Sequence, residues 1–121
     1  MSTETVRRIA IADASPAFLS AAATFISHLP GYTLAGTSKT AAQALALHPD
    51  VLLIDLGAQP ARGLEIVKQV KEKPGAPAVV AMTLFHTPEA AAAATRAGAD
   101  TLVGKDSFVA GLRDALTRLF P

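Results

Sequence analysis

The sequence predicts an α/β domain with a doubly wound parallel sheet, and three observations carry that prediction. Short apolar runs without a polar face recur at Ile9-Ala10-Ile11-Ala12, Val51-Leu52-Leu53-Ile54 and Ala78-Val79-Val80-Ala81-Met82. Such runs suit strands covered by helices on both sides. Between them lie helical patterns with readable ends. Strand and helix alternate five times, and right-handed crossovers then wind the sheet in both directions.

In chain order, the Ile9 run is the first strand. Ser15-Pro16 reads as an N-cap followed by proline in the first helical turn. Phe18, Ala22, Phe25 and Leu29 then fall at helical spacing until Pro30-Gly31 stops the run. Tyr32 to Ser38 is a weaker strand of edge type, followed by a short helix over Ala41 to Leu47. After the Val51 strand, Leu64, Val67 and Val70 form one apolar stripe, with Lys68, Lys71 and Glu72 for the wet side. Thr87-Pro88 repeats the cap-and-proline start, and Gly98 suits the left-handed position that ends a helix. Thr101 to Gly104 is a second near-edge strand. Asp106 or Ser107 caps the last helix, whose inner face carries Phe108, Leu112, Ala115 and Leu119.

Composition narrows the function. The chain has 121 residues, half of them hydrophobic and 17% charged, which excludes a disordered tail. This length suits a single domain, 1–121, with roughly two-thirds of the unfolded surface buried. A net charge of +1 without a basic run gives no footprint for direct nucleic-acid binding. There is no cysteine, so disulfides and thiolate metal sites are excluded, and a cytoplasmic setting is expected. Met1 to Arg8 lacks the apolar centre of a signal peptide, and no stretch is long enough to span a membrane.

In a doubly wound sheet, ligands gather at the carboxyl ends of the strands. Four polar residues stand there: Asp13, Asp55, Thr83 and Lys105. Singly, each has a structural explanation, as a turn-capping Asp, a half-buried strand Thr or a solvated Lys. Together, two carboxylates, a hydroxyl and an ammonium make a charged site. The set suits phosphoryl transfer onto a carboxylate, in which anion repulsion is relieved by a divalent cation and an ammonium.

These segments resemble the receiver domains of bacterial two-component response regulators. Ile9-Ala10-Ile11-Ala12-Asp13 with Ser15-Pro16 is similar to their first strand. Asp50 to Leu56, with Gly63 following, is similar to the acceptor segment. Val79 to Thr83 resembles the fourth strand with its signalling hydroxyl, and Ala97-Gly98-Ala99-Asp100 leads to the lysine strand. Spacings of 28 residues from Asp55 to Thr83 and 22 from Thr83 to Lys105 suit the family. The resemblance covers essentially the whole chain. It implies a flavodoxin-like sheet of five parallel strands in order 2-1-3-4-5 with five helices.

It also implies roles. Asp55 would be the phospho-acceptor, Thr83 the switch hydroxyl and Lys105 the charge partner. Asp13, Asp55 and the Gly57 carbonyl would hold Mg²⁺. The expected partner is a histidine kinase or phosphotransfer protein, and the domain would not be an enzyme beyond self-catalysed phosphotransfer and dephosphorylation. The Lys105-Asp106-Ser107 ending resembles receivers that precede helix-turn-helix output domains. Residues 88–119 would form a homodimer or partner face carrying Glu89, Arg96, Asp100, Arg113, Asp114 and Arg118.

Three departures from the family follow. An acidic pair usually ends the first strand, and here it reads Ala12-Asp13, so weaker Mg²⁺ binding is expected. Leu102 stands where Tyr or Phe is common, leaving no ring to swing inward on activation. Gln59 occupies the usual proline position and Pro60 follows it, so the loop from Leu56 to Arg62 is expected to take another path.

Two readings result. One is a working receiver phosphorylated on Asp55; the other is a pseudo-receiver acting through protein contacts alone. Retention of Asp13, Asp55, Thr83 and Lys105 favours the first, and Ala12 and Leu102 favour the second. A flavin-binding module would need a Ser/Thr/Gly-rich phosphate loop after the first strand, which Ala14-Ser15-Pro16-Ala17 is not. His28, His48 and His86 have no metal-ligand spacing. His86 reads as a solvated loop residue. Phe85 could equally shield an acyl phosphate or pack.

Overall fold

The computed structural model describes residues 5–121; the polar start Met1–Glu4 lies outside them. Five strands, β1 (Arg7–Ala12), β2 (Tyr32–Ser38), β3 (Val51–Asp55), β4 (Ala78–Thr83) and β5 (Thr101–Gly104), form one sheet. All pairings are parallel and the order is β2-β1-β3-β4-β5, as expected. The helices are α1 (Pro16–Ser27), α2 (Ala41–Leu45), α3 (Pro60–Lys71), α4 (Pro88–Ala97) and α5 (Phe108–Leu119).

Strand alternation sorts the core into two layers. Ile9, Ile11, Val51, Leu53, Val80, Met82 and Val103 pack with Ala22 and Ile26 of α1 and Phe108, Leu112, Ala115 and Leu116 of α5. Ala10, Ala12, Leu52, Ile54, Val79, Ala81 and Leu102 face the other way, onto Ala44, Val67, Val70 and Ala94 of α2, α3 and α4. The purely apolar strand runs arise from this double coverage.

Most helix ends follow local chemistry. Ser15 accepts from the Phe18 N–H and Thr87 from the Ala90 N–H, each ahead of a proline. Gly98 ends α4 at φ +101°. Two expectations are corrected. The helix expected over Ala41 to Leu47 ends at Leu45, and His48 turns the chain at φ +54°. Ser107 is the N-cap residue of α5, but neither it nor Asp106 makes a side-chain cap hydrogen bond; a 3₁₀ turn over Lys105–Ser107 feeds the helix directly. The displaced Pro60 is the first residue of α3, where its missing N–H breaks no helical hydrogen bond.

Tyr32 supplies a simple test of the β2 edge. Burial pushes its hydroxyl above the ordinary 10.0, and the nearby Arg7 guanidinium opposes that only partly. A raised phenol value means the fold favours the neutral form. The associated stability is present at lower pH and is lost as pH rises through the folded value. The chain has one Tyr and no Trp, so ultraviolet titration should show a single phenolate midpoint above 10.0 in the folded protein.

Candidate functional site

The two rows of side chains on each strand determine which polar residues meet. The row Ile9-Ile11 continues to Asp13, Val51-Leu53 to Asp55, and Val103 to Lys105. All three polar residues thus emerge toward the α1/α5 layer at the carboxyl edge of the sheet, from β1, β3 and the turn after β5. The Lys105 ammonium lies 2.6 Å from Asp13 Oδ2 and 3.4 Å from Asp55 Oδ1. The Asp13 side chain is only 1% exposed, Lys105 12% and Asp55 17%, so the site opens to solvent mainly along Asp55.

Asp13 is held on both oxygens. Its Oδ1 accepts from the Ser15 N–H at 2.8 Å while Oδ2 takes the ammonium. Its own N–H donates to the Ser38 carbonyl at the end of β2. A carboxylate this deep needs such partners, since burying it unpaired costs several kcal/mol.

Thr83 belongs to the opposite row, Val79-Ala81-Thr83, one step beyond the level of Asp55 on β4. Its hydroxyl oxygen accepts from the Phe85 N–H at 3.4 Å, which leaves the hydroxyl proton free to donate outward. The structure therefore brings Lys105 into contact with both Asp13 and Asp55, and leaves Thr83 at the same sheet edge on the opposite row of β4. Gly57 lies two residues past Asp55 with φ +74°, a left-handed turn that a side chain would strain, although space around it is open.

Ala12 does not stand where the missing acid was expected. It is 4% exposed and belongs to the core against α2 and α3, so a carboxylate there would point into apolar packing. The residue beside Asp13 that reaches solvent is Ala14. Asp13 thus stands between a core alanine and a rim alanine, with no second carboxylate on either side. Leu102 is buried in the same layer as Ala12, among Ala81, Ala94 and Ala99, and fills the space without a ring.

On the surface expected to carry a charged partner face, two of the charges are engaged within the chain. Asp100 accepts from Lys71 Nζ at 3.0 Å and the Val79 N–H at 2.8 Å, tying α3 to the start of β4. The Arg113 guanidinium lies over the Phe25 ring, toward α1. Of the remaining charges, Asp114 and Arg118 pair within α5 at 3.1 Å, both well exposed. Phe85 is 78% exposed and does not pack, and His86 is in solvent as expected.

One participant escaped the sequence reading. Phe18, read only as a helix core position, places its ring 4.3 Å from the Lys105 ammonium. Its five-residue separation from Asp13 along the chain carried no signal by itself.

Whether the pocket suits a hard cation depends on its donors. Among the described residues no group of three or more His, Cys, Asp and Glu comes together. The side chains available are the Asp13 and Asp55 carboxylates, all-oxygen donors with lone pairs left over after the contacts above. Mg²⁺ retains several waters and needs only one or two carboxylates, so the residues fit it, with one acid fewer than a complete pair. No helix among the described residues is long and apolar enough to cross a membrane.

Comparison with known proteins agrees with this geometry. The family model described as response regulator receiver domain matches residues 9–117. A two-component response regulator of the LuxR family from Aurantimonas sp. SI85-9A1 is 26% identical, with a TM-score of 0.81 over 95% of this chain and 85% of that one. The signal receiver domain of a DNA-binding response regulator (merR) from Colwellia psychrerythraea 34H is 22% identical, with a TM-score of 0.79 over 93% and 97%. The isolated REC domain of RcsB from Salmonella enterica serovar Typhimurium in its apo form is 19% identical, with a TM-score of 0.81 over 93% and 86%. Comparison with curated proteins gives no match. Receivers are signalling domains rather than classical enzymes, they generally bind Mg²⁺ at the acidic pocket, and they interact with histidine kinases or phosphotransfer proteins. With its sheet order, its carboxyl-edge pocket and a family match over most of its length, the chain belongs to the response regulator receiver domains, the phosphoryl-accepting modules of two-component signalling.

Proposed function

We propose that this chain, as a single cytoplasmic domain, accepts a phosphoryl group on Asp55 from a phosphohistidine of its partner kinase or phosphotransfer protein. The observation that carries this reading is the Lys105 ammonium in reach of both carboxylates, at 2.6 Å and 3.4 Å. An Asp55 oxygen attacks phosphorus, the bond from phosphorus to the donor imidazole nitrogen breaks, and that nitrogen keeps the electron pair. Asp55 is the more exposed carboxylate, so it is the one an incoming phosphoryl group can reach.

Lys105 offsets the charge that the phosphoryl oxygens bring, and the Thr83 hydroxyl donates to one of them. Asp13, Asp55 and the Gly57 carbonyl would hold Mg²⁺, which when bound relieves the repulsion between the two anions. With no second carboxylate beside Asp13, that cation is held weakly. Movement of Thr83 is not reported by a ring, because Leu102 is already buried. The signal passes instead through the exposed Leu84-Phe85 turn that hydrogen-bonds to Thr83.

Incubation with Mg²⁺ and acetyl phosphate, followed by intact-mass measurement, tests the reading. The expected result is one added phosphoryl group. Absence of that mass, where a control receiver is modified, would favour a domain that signals through contacts alone.

A further inference from the structure

We propose that Phe18 is a positioning residue for Lys105, its ring holding the ammonium at the edge shared by Asp13 and Asp55. The inference rests on the role of Lys105 as charge partner of the phosphoryl group.

Lysine carries its charge on a flexible four-carbon stem, so an ammonium at the mouth of a pocket needs something besides its anions to fix it. Here the ring centroid of Phe18 lies 4.3 Å from Nζ, inside the roughly 6 Å range of a cation–π contact. The ring is itself fixed. It meets Phe108 edge to face at 5.1 Å and 76°, and Phe108 meets Phe25 in the same manner at 6.1 Å. Phe108 is buried in the α1/α5 core, so the three rings form a rigid mount running from the core to the pocket.

The same short segment brings the ring and the carboxylate together. Asp13 accepts from the Ser15 N–H, and the Ser15 hydroxyl accepts from the Phe18 N–H at 3.2 Å. Acid and ring therefore close on the ammonium as one unit at the start of α1. A ring face attracts the cation without neutralising it. A third carboxylate in its place would cancel the charge that the incoming phosphoryl oxygens need.

The test uses the intact chain, with Phe18→Leu removing the ring, Phe18→Met as a second apolar replacement without a ring and Phe18→Tyr keeping a π face. In protein labelled with ¹³C at the lysine ε-carbon, the Lys105 methylene protons should lie upfield of those of the other lysines. That shift should vanish in Phe18→Leu and Phe18→Met and persist in Phe18→Tyr. The rate of Asp55 phosphorylation by acetyl phosphate should fall about threefold to tenfold in the Leu and Met variants. Phe18→Tyr should restore it, and Phe18→Leu should have no further effect in a Lys105→Met background. An unshifted Lys105 methylene overturns the proposal. So does a shift accompanied by unchanged rates, or the same slowing with Lys105 absent, which would mark Phe18 as packing only. A wild type that takes no phosphoryl group refutes the proposed function itself and this role with it.

Discussion

Lys105→Met is expected to lower the stability of the domain by about 2 kcal/mol and to slow phosphorylation of Asp55 about a hundredfold. The stability loss comes from Asp13. Its side chain is almost wholly buried, and without the ammonium only the Ser15 N–H remains on its oxygens. Breaking a fully buried pair costs about 3–5 kcal/mol, and the opening of this site along Asp55 moderates that figure. Repulsion between Asp13 and Asp55, no longer bridged, acts in the same direction. The kinetic loss has a separate origin, the removal of a fixed positive charge from the place where negative charge accumulates. Urea denaturation and a phosphorylation time course measure the two effects independently. An unchanged denaturation midpoint would show that the ammonium does not hold Asp13.

Gly63→Ala is expected to destabilise the domain by about 2 kcal/mol, although alanine is the better helix former by about 1 kcal/mol. A Cβ at position 63 would stand 2.7 Å from both Cα and the carbonyl oxygen of Leu56. Those are backbone atoms. Leu56 itself is buried, and its N–H donates to the Met82 carbonyl, so the strand end cannot retreat. The first turn of α3 must move instead, carrying the loop through Gly57 away from Asp55. Gly111→Ala is the contrasting case. Its Cβ would meet one side-chain atom, Val103 Cγ1 at 2.8 Å, where Gly63 meets two backbone atoms; the buried, β-branched valine yields only by a small shift, but no strand end has to move. Thermal denaturation should therefore show a fall of several degrees for Gly63→Ala and a smaller one for Gly111→Ala. Equal midpoints for the two variants would mean that α3 does not depend on the close approach.

Much of the fold was legible because single residues determine it. Ser15-Pro16, Thr87-Pro88 and Gly98 mark helix ends by local chemistry, and the unbroken apolar runs mark strands covered on both faces. Helical spacing marks Phe108, Leu112 and Ala115 as the core face of α5. Leu116 takes a buried place there, and Leu119 packs at its margin. The end of α2 was less legible, since nothing in Ala46-Leu47 announces the left-handed turn at His48.

The site was legible as a set of residue types but not as a set of faces. Asp13, Asp55 and Lys105 could be chosen from the sequence, because each follows a strand. Their shared orientation could not, since it follows from strand parity once the register is known. Burial likewise separates the two alanines beside Asp13, Ala12 inside the core and Ala14 on the rim beyond the end of β1. Parity also separates Thr83 from the lysine side. Contacts between distant segments were the least accessible. No spacing rule links Phe18 to Lys105 or Asp100 to Lys71, because both pairs arise only when helices settle onto the finished sheet.

The central claim is that Asp55 is the acceptor in a pocket built with Asp13 and Lys105. Borohydride reduction of the phosphorylated protein, followed by fragment sequencing, tests it most directly, because the reagent converts an aspartyl phosphate to an alcohol. The label should appear at Asp55, in the segment between Lys39 and Arg62, and be absent from Asp55→Asn. Label at Asp50, Asp13 or Asp106, or retention of the added phosphoryl group in Asp55→Asn, would contradict the account.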